Sequence, residues 1–228
     1  LQVMDPKTGR FSTFNTRCSV IPSDYINSLG VTSTGDLLIG HSRGFSIMNP
    51  VTRHIVNYEN ASNGQSFLGL SMNQVIQDSR GIFWMATPAG ISLYDPRSGL
   101  FRSVNVPGGT PGAVGCSVVE DRQKEMWLVY DHAVSRIKMK KDRKGNWTLF
   151  VTGFNTFDGL QNRQFNYRSI LLTRDGKILI GGQDGINVIS PFPAIKVNRH
   201  VKALFSGLIL FDHPLAVGET YGGHIVLK

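Results

Sequence analysis

Apolar and polar positions alternate with a period of two in short runs along this chain, and one run recurs in a fixed frame. It reads most clearly as Gly81-Ile82-Phe83-Trp84-Met85-Ala86-Thr87-Pro88-Ala89-Gly90-Ile91-Ser92-Leu93-Tyr94-Asp95-Pro96-Arg97-Ser98-Gly99. A bulky apolar anchor is followed six residues later by a small turn residue: Leu38 by Gly44, Trp84 by Gly90, Trp127 by Ala133 and Leu179 by Gly185. Five residues further on, Asn49 or Asp95 opens another turn. Period-two alternation marks strands, and no stretch sustains the apolar period of a helix. Helix is expected to be scarce.

The anchors lie 46, 43 and 52 residues apart, a length that suits one four-stranded propeller blade per repeat. The segment before each anchor is predicted to be the inner strand and the anchor strand the second. A third strand starts at Gly44, Gly90 or Gly185, and a fourth follows the Asp-Pro turn. In Asp95-Pro96-x-x-Gly99 the carboxylate bonds forward to backbone and the proline presets φ. Val3-Met4-Asp5-Pro6-Lys7-Thr8-Gly9-Arg10-Phe11 matches Leu93 to Phe101, which places Leu1 inside a blade. After Ser190-Pro191-Phe192-Pro193 the frame stops, and Ala203 to Phe211 and His224 to Leu227 look like strands of a second β module. The expectation is an all-β chain: a partial β-propeller of about four and a half four-stranded blades over 1–193, then the first strands of an immunoglobulin-like β-sandwich over 194–228. Because a blade cannot bury both faces alone, further blades are expected from another segment or chain.

Trp84 and Trp127 share their slot with Leu38 and Leu179, so they are read as packing between blades and not as a stacking platform for a ligand. With 41% hydrophobic and 18% charged residues the chain can bury a sizeable core, which excludes a disordered tail. Its net charge of +8 is concentrated in one hairpin, where Arg136, Lys138, Lys140, Lys141, Arg143 and Lys144 face only Asp142. Ile137 and Met139 alternate with these cations. That predicts an outer strand whose lysines deter edge-to-edge pairing, with contact to an anionic partner as the alternative; no nucleic-acid contact is assigned. Cys18 and Cys116 have no metal or redox spacing and are read as unpaired, partly buried thiols. No run approaches the roughly 18 apolar residues of a membrane span.

Catalytic and metal-binding patterns are missing. Asp158, Asp175 and Asp184 occupy turns that backbone hydrogen bonding explains. The six histidines show no ligand spacing. Asp78-x-x-Gly81-x-x-Trp84 fails the Asp-box register of sialidase-like propellers by one residue. No catalytic residue, metal or cofactor is assigned.

A binding site is easier to place. Eleven residues before each anchor stand Asn27, Asn73, Cys116 and Arg168, the entries to the inner strands, which in a propeller converge on one mouth of the central channel. Amides and guanidinium groups there can bond sugar hydroxyls or carboxylates; simple solvation is the alternative. The last unit carries roughly five extra residues, Asn162-Arg163-Gln164-Phe165-Asn166. Candidate ligand-binding residues are therefore Asn162, Arg163, Gln164, Asn166, Arg168, Asn27 and Asn73. Arg163 and Arg168 favour an acidic sugar through bidentate contacts. A packing bridge to a neighbouring domain is the other reading of this loop.

Gly-x-x-Trp-x-x-Thr-x-x-Gly-Ile-x-x-Tyr-Asp-Pro from Gly81 to Pro96 resembles the two-component-regulator propeller repeat in periplasmic sensors of hybrid two-component systems of gut Bacteroidetes. Asp158-Gly159-Leu160-Gln161-Asn162, Phe165-Asn166, Asp175-Gly176, Gly181-Gly182, Asp184-Gly185-Ile186-Asn187 and Ser190-Pro191 resemble the terminal blade of that family. Leu208 to Gly218 resembles the start of its three-tyrosine β-sandwich. Lys124 and Ala133 depart from the pattern by replacing glycines, as Leu38 and Leu179 do by replacing the aromatic. The resemblance implies a non-catalytic, ligand-sensing periplasmic part of an inner-membrane histidine kinase and response regulator. It further implies an oligosaccharide ligand derived from polysaccharide breakdown, control of glycan-utilisation genes, contacts with the remaining blades and sandwich of the parent chain, and a homodimer. A propeller carbohydrate-active enzyme (a lyase or sialidase-like hydrolase) and a protein-interaction scaffold stay open as alternatives.

Overall fold

The computed structural model describes residues 1–59, 71–104, 113–143, 145, 147–161, 163–191, 208–210 and 213–215. The chain divides into two compact units, Leu1–Phe192 and Pro193–Lys228. The first unit opens with a two-stranded sheet of β1 (Gln2–Met4) and β2 (Phe11–Thr13). Three full antiparallel blades follow. They consist of β3 (Ile26–Val31), β4 (Leu37–His41), β5 (Gly44–Met48) and β6 (Ile55–Glu59); of β7 (Gln74–Gln77), β8 (Phe83–Thr87), β9 (Gly90–Asp95) and β10 (Leu100–Ser103); and of β11 (Gly115–Glu120), β12 (Met126–Tyr130), β13 (Val134–Lys141) and β14 (Trp147–Phe154). After a 3-10 turn at Thr156–Asp158 comes a sheet of β15 (Phe165–Leu172), β16 (Ile178–Gly182) and β17 (Gly185–Ile189). The expected propeller arrangement is present. The last sheet departs from the four-strand rule, because no fourth strand lies among its described residues. In the second unit the described residues form one hairpin, β18 (Leu208–Leu210) with β19 (His213–Leu215); the rest of the expected sandwich lies outside them.

Strand order follows from the repeat. Trp84 lies opposite Ile76 and Leu93, so the anchor and its cross-strand neighbours share one face. That face always buries against the next blade. Leu38 and Phe45 pack with Met72, Val75 and Met85, Trp84 and Ile91 with Val118, Met126 and Leu128, and Trp127 with Phe165, Ile178 and Ile180. Trp84 and Trp127 are 0% and 1% exposed. Burying about 200 Å² of each at about 25 cal/mol per Å² contributes roughly 5 kcal/mol before conformational costs.

A second feature of the repeat lies six residues before each anchor. Asp78 uses Oδ1 to accept the Ile82 and Arg80 N–H groups and Oδ2 to accept the Trp84 indole N–H at 2.9 Å. Asp121 repeats this with Glu125, Gln123 and the Trp127 indole at 2.9 Å. Where the anchor is leucine the slot holds threonine: Thr32 Oγ1 accepts the Asp36 N–H and Thr173 Oγ1 the Lys177 N–H. In the turn that follows, Gly35, Gly81 and Gly176 have φ of 85°, 88° and 87°, and Lys124 is held at 63° in the same slot.

At the two ends of the series an inter-blade face lies open: the anchor face on the last sheet and the opposite face on the first full blade. Leu171, Leu179 and Val188 align across the last sheet, in the places that Ile76, Trp84 and Leu93 take in the second full blade. Ile186 and Val188 there are 69% and 59% exposed. On the first full blade, Leu29 and Val31 lie opposite Ile39 and Leu37. Leu1 and Phe14 cover part of that face together with Ile21, but Leu29 and Val31 are exposed.

Two expectations need correction. The cationic residues lie on β13, the third strand, and the outer edge is β14, because the turn after Lys141 sends the chain back outside it. Of the two free cysteines only Cys116 is buried; Cys18 is exposed.

Candidate functional site

The inner strands do not enter their sheets smoothly. Ile26 lies opposite His41 and Ser28 opposite Gly40, which leaves Asn27 as the extra residue of a bulge. Cys116 is the extra residue between Gly115 opposite Tyr130 and Ser117 opposite Val129. A bulge re-aims the side chain it carries, and here it turns each one toward the following blade. Asn27 Nδ2 donates to Ser71 Oγ at 3.1 Å and Asn73 Nδ2 to the Gly115 carbonyl at 2.8 Å. The Cys116 thiol approaches the Phe165 carbonyl at 3.7 Å. One residue further along, Ser28 Oγ accepts the Val75 N–H at 3.2 Å and Gln74 Oε1 the Val118 N–H at 2.8 Å. The slot singled out in the sequence is thus a row of stitches between blades. Burial pushes the Cys116 thiol up to about 12, with Asp131 acting in the same direction, so this cysteine stays a neutral thiol.

Arg168 breaks the series. Between Phe165 opposite Gly182 and Ile170 opposite Ile180, β15 advances five residues while β16 advances two, a three-residue excess in place of the usual one. Arg168 sits in this enlarged bulge with φ 58°, in the left-handed region, a conformation that costs a non-glycine residue about 1–2 kcal/mol. Its Nη1 donates to the Asn27 carbonyl, from the last inner strand to the first. Ile26, Asn27, Ser28, Leu29, Gln74 and Arg168 line one cavity of about 460 Å³. Tyr167, next to Arg168, is exposed.

The other candidates scatter. Asn73 is used by its bond to Gly115 and is not among the cavity residues. Arg163 pairs with Asp184 at 3.3 Å on the surface, and Gln164 Oε1 accepts from Gln183 Nε2 at 3.4 Å. Asn166 is exposed at the start of the bulge. Asn162 lies outside the described residues. Phe165, the aromatic of the supposed loop, is 4% exposed and packs with Trp127. The register excess thus falls between Phe165 and Ile170, within β15, while Arg163 and Gln164 lie just before that strand. Sequence reasoning missed Gln74 and Ser28; both stand one residue after a flagged asparagine, so the repeat could have found them. Among the described residues no group of three His, Cys, Asp or Glu side chains could hold a metal ion.

No family model and no curated protein matches the sequence. Solved structures do match its fold. An extracellular domain ascribed to a hybrid two-component system of Bacteroides thetaiotaomicron superposes with a TM-score of 0.65 at 17% identity, over 91% of this chain and 28% of the other. A second extracellular domain ascribed to a hybrid two-component system of that organism gives 0.59 at 16%, over 80% and 23%. Virginiamycin B lyase from Staphylococcus aureus gives 0.53 at 13%, over 84% and 63%. The chain spans about a quarter of the length of the first two. It shares the propeller fold found in extracellular domains of Bacteroides hybrid two-component systems.

Proposed function

We propose that this propeller is part of a periplasmic sensing domain that binds an acidic oligosaccharide at the mouth of its central channel and relays binding to a membrane-bound histidine kinase controlling glycan-utilisation genes. The observation that supports it most is Arg168, held in a left-handed conformation on an enlarged bulge over a cavity of about 460 Å³. Backbone strain of this kind persists where the surroundings over-determine it, and it clusters at binding sites. A guanidinium beside the Asn27 and Gln74 amides suits a carboxylate flanked by hydroxyls. Arg163, Gln164 and Asn166, which precede Arg168 in the chain and are exposed, would add secondary contacts at the edge of this site. The parent's further blades, its sandwich domain and a second copy would complete the receptor.

Titration calorimetry on the intact ectodomain with oligogalacturonates and neutral galactans tests this. Uronate-selective binding is expected, weakened at least tenfold by Arg168→Ala, with Arg163→Ala milder. Turnover of the sugar, or equal affinity in the Arg168→Ala protein, overturns the reading.

A further inference from the structure

The third full blade ends on an edge unlike those of its neighbours. β6 is Ile-Val-Asn-Tyr-Glu and β10 Leu-Phe-Arg-Ser, each short and carrying a charge. β14 is eight residues long, Trp-Thr-Leu-Phe-Val-Thr-Gly-Phe, with no charge and no proline. Among the described strands it pairs with β13 alone. Among the described residues it receives one hydrogen bond from outside its own sheet, from Arg102 Nη1 to the Trp147 carbonyl at 3.5 Å. A Cβ placed on Gly153 would meet nothing within 4 Å. Long, uncharged edges present a row of unused backbone groups, and soluble proteins commonly interrupt them with a charge, a proline or a bulge.

The charge lies one strand inward and leans over this edge. Lys138 is paired with Phe150, Lys140 with Thr148 and Lys141 with Trp147. The Lys140 ammonium sits 5.5 Å from the Phe150 ring and the Lys141 ammonium 4.8 Å from the Trp147 ring. Alternation puts Phe150 on one face of β14 and Trp147 on the other, so both faces carry a cation above the open strand. Phe150 is 51% exposed.

We infer that β14 docks an extended acidic peptide segment of a partner protein by strand addition. Backbone groups of the segment would pair with the edge, and carboxylates on its alternate residues would meet Lys140 on one face and Lys141 on the other. A second copy of this chain is a poorer occupant, because the net charge of +8 opposes self-association.

The probe is a fluorescein-labelled (Glu-Val)4 peptide titrated into the intact ectodomain, followed by anisotropy. Expected are saturable binding that weakens at least fivefold from 50 to 300 mM salt, loss of binding when alternate peptide nitrogens are methylated, and at least fivefold weakening by Lys140→Glu with Lys141→Glu. Undiminished binding of the methylated peptide, or tighter binding of a sulfated polysaccharide, would reduce the surface to a general polyanion patch and overturn strand addition. Concentration-dependent dimerisation that the peptide fails to disrupt would assign the edge to a second copy instead.

Discussion

Thr32, Asp78, Asp121 and Thr173 occupy one slot of the repeat, and their identity follows the anchor six residues on. An indole brings a buried N–H that needs an acceptor. Aspartate has a second oxygen for it, while threonine has enough for the turn alone. Asp78→Thr should therefore cost more stability beside Trp84 than beside leucine at that position. Chemical denaturation of both single variants and the double variant should return a coupling energy of about 1–2 kcal/mol, and additivity would contradict the pairing. This rule was within reach of the sequence, since Asp78 and Asp121 precede tryptophan whereas Thr32 and Thr173 precede leucine. Reading the tryptophans as apolar anchors concealed it, because their one polar atom was left out. Arg168 is the opposite case. Its place in the repeat was visible, but the left-handed backbone depends on how β15 and β16 slip past each other, and no local pattern encodes that.

At the scale of elements, the first full blade is tied across three strands by a polar chain. His41 on β4 accepts the Arg43 N–H at Nδ1, so Nε2 carries the proton and meets Ser46 Oγ on β5 at 3.0 Å. Ser46 Oγ donates to Asn57 Oδ1 on β6 at 2.7 Å, and Asn57 Nδ2 donates to the Val20 carbonyl at 2.8 Å. His41 is 0% exposed. Burial pulls its pKa down from 6.5 to about 4, opposed by Glu59 and aided by Arg43. The folded form thus favours the neutral ring, and its contribution is complete above pH 6.5. It fades as pH falls toward 4, by up to about 3 kcal/mol. Denaturation midpoints between pH 7 and 4 should show this loss, and His41→Gln should flatten it; an unchanged slope would remove His41 as the cause. Six histidines without ligand spacing look alike in the sequence, and nothing local marks this one as buried, because its partners on β5 and β6 arrive through strand register.

For the whole molecule, what was legible was the count and order of blades, since fixed spacing dictates both. What was not legible was which strand becomes the edge: the cations of β13 suggested a guarded margin, and the hairpin turned the unguarded strand outward. The bare terminal face has a measurable consequence. Leu171→Thr, Ile186→Thr and Val188→Thr together should raise the solubility limit of this chain several-fold with little loss of stability, because those side chains bury little here. Light scattering against concentration would show it, and no gain would mean that the face is already covered.

The stitches from Asn27 to Ser71, from Asn73 to Gly115 and from Cys116 to Phe165 all run from one blade to its successor. The series therefore has a head and a tail: side chains at each inner-strand entry reach forward, and main-chain or hydroxyl groups of the next blade receive them. Surfaces of this kind associate heterologously. A blade capping the terminal face would present its rear, whereas a two-fold mate would offer a second forward face without the groups that receive these stitches.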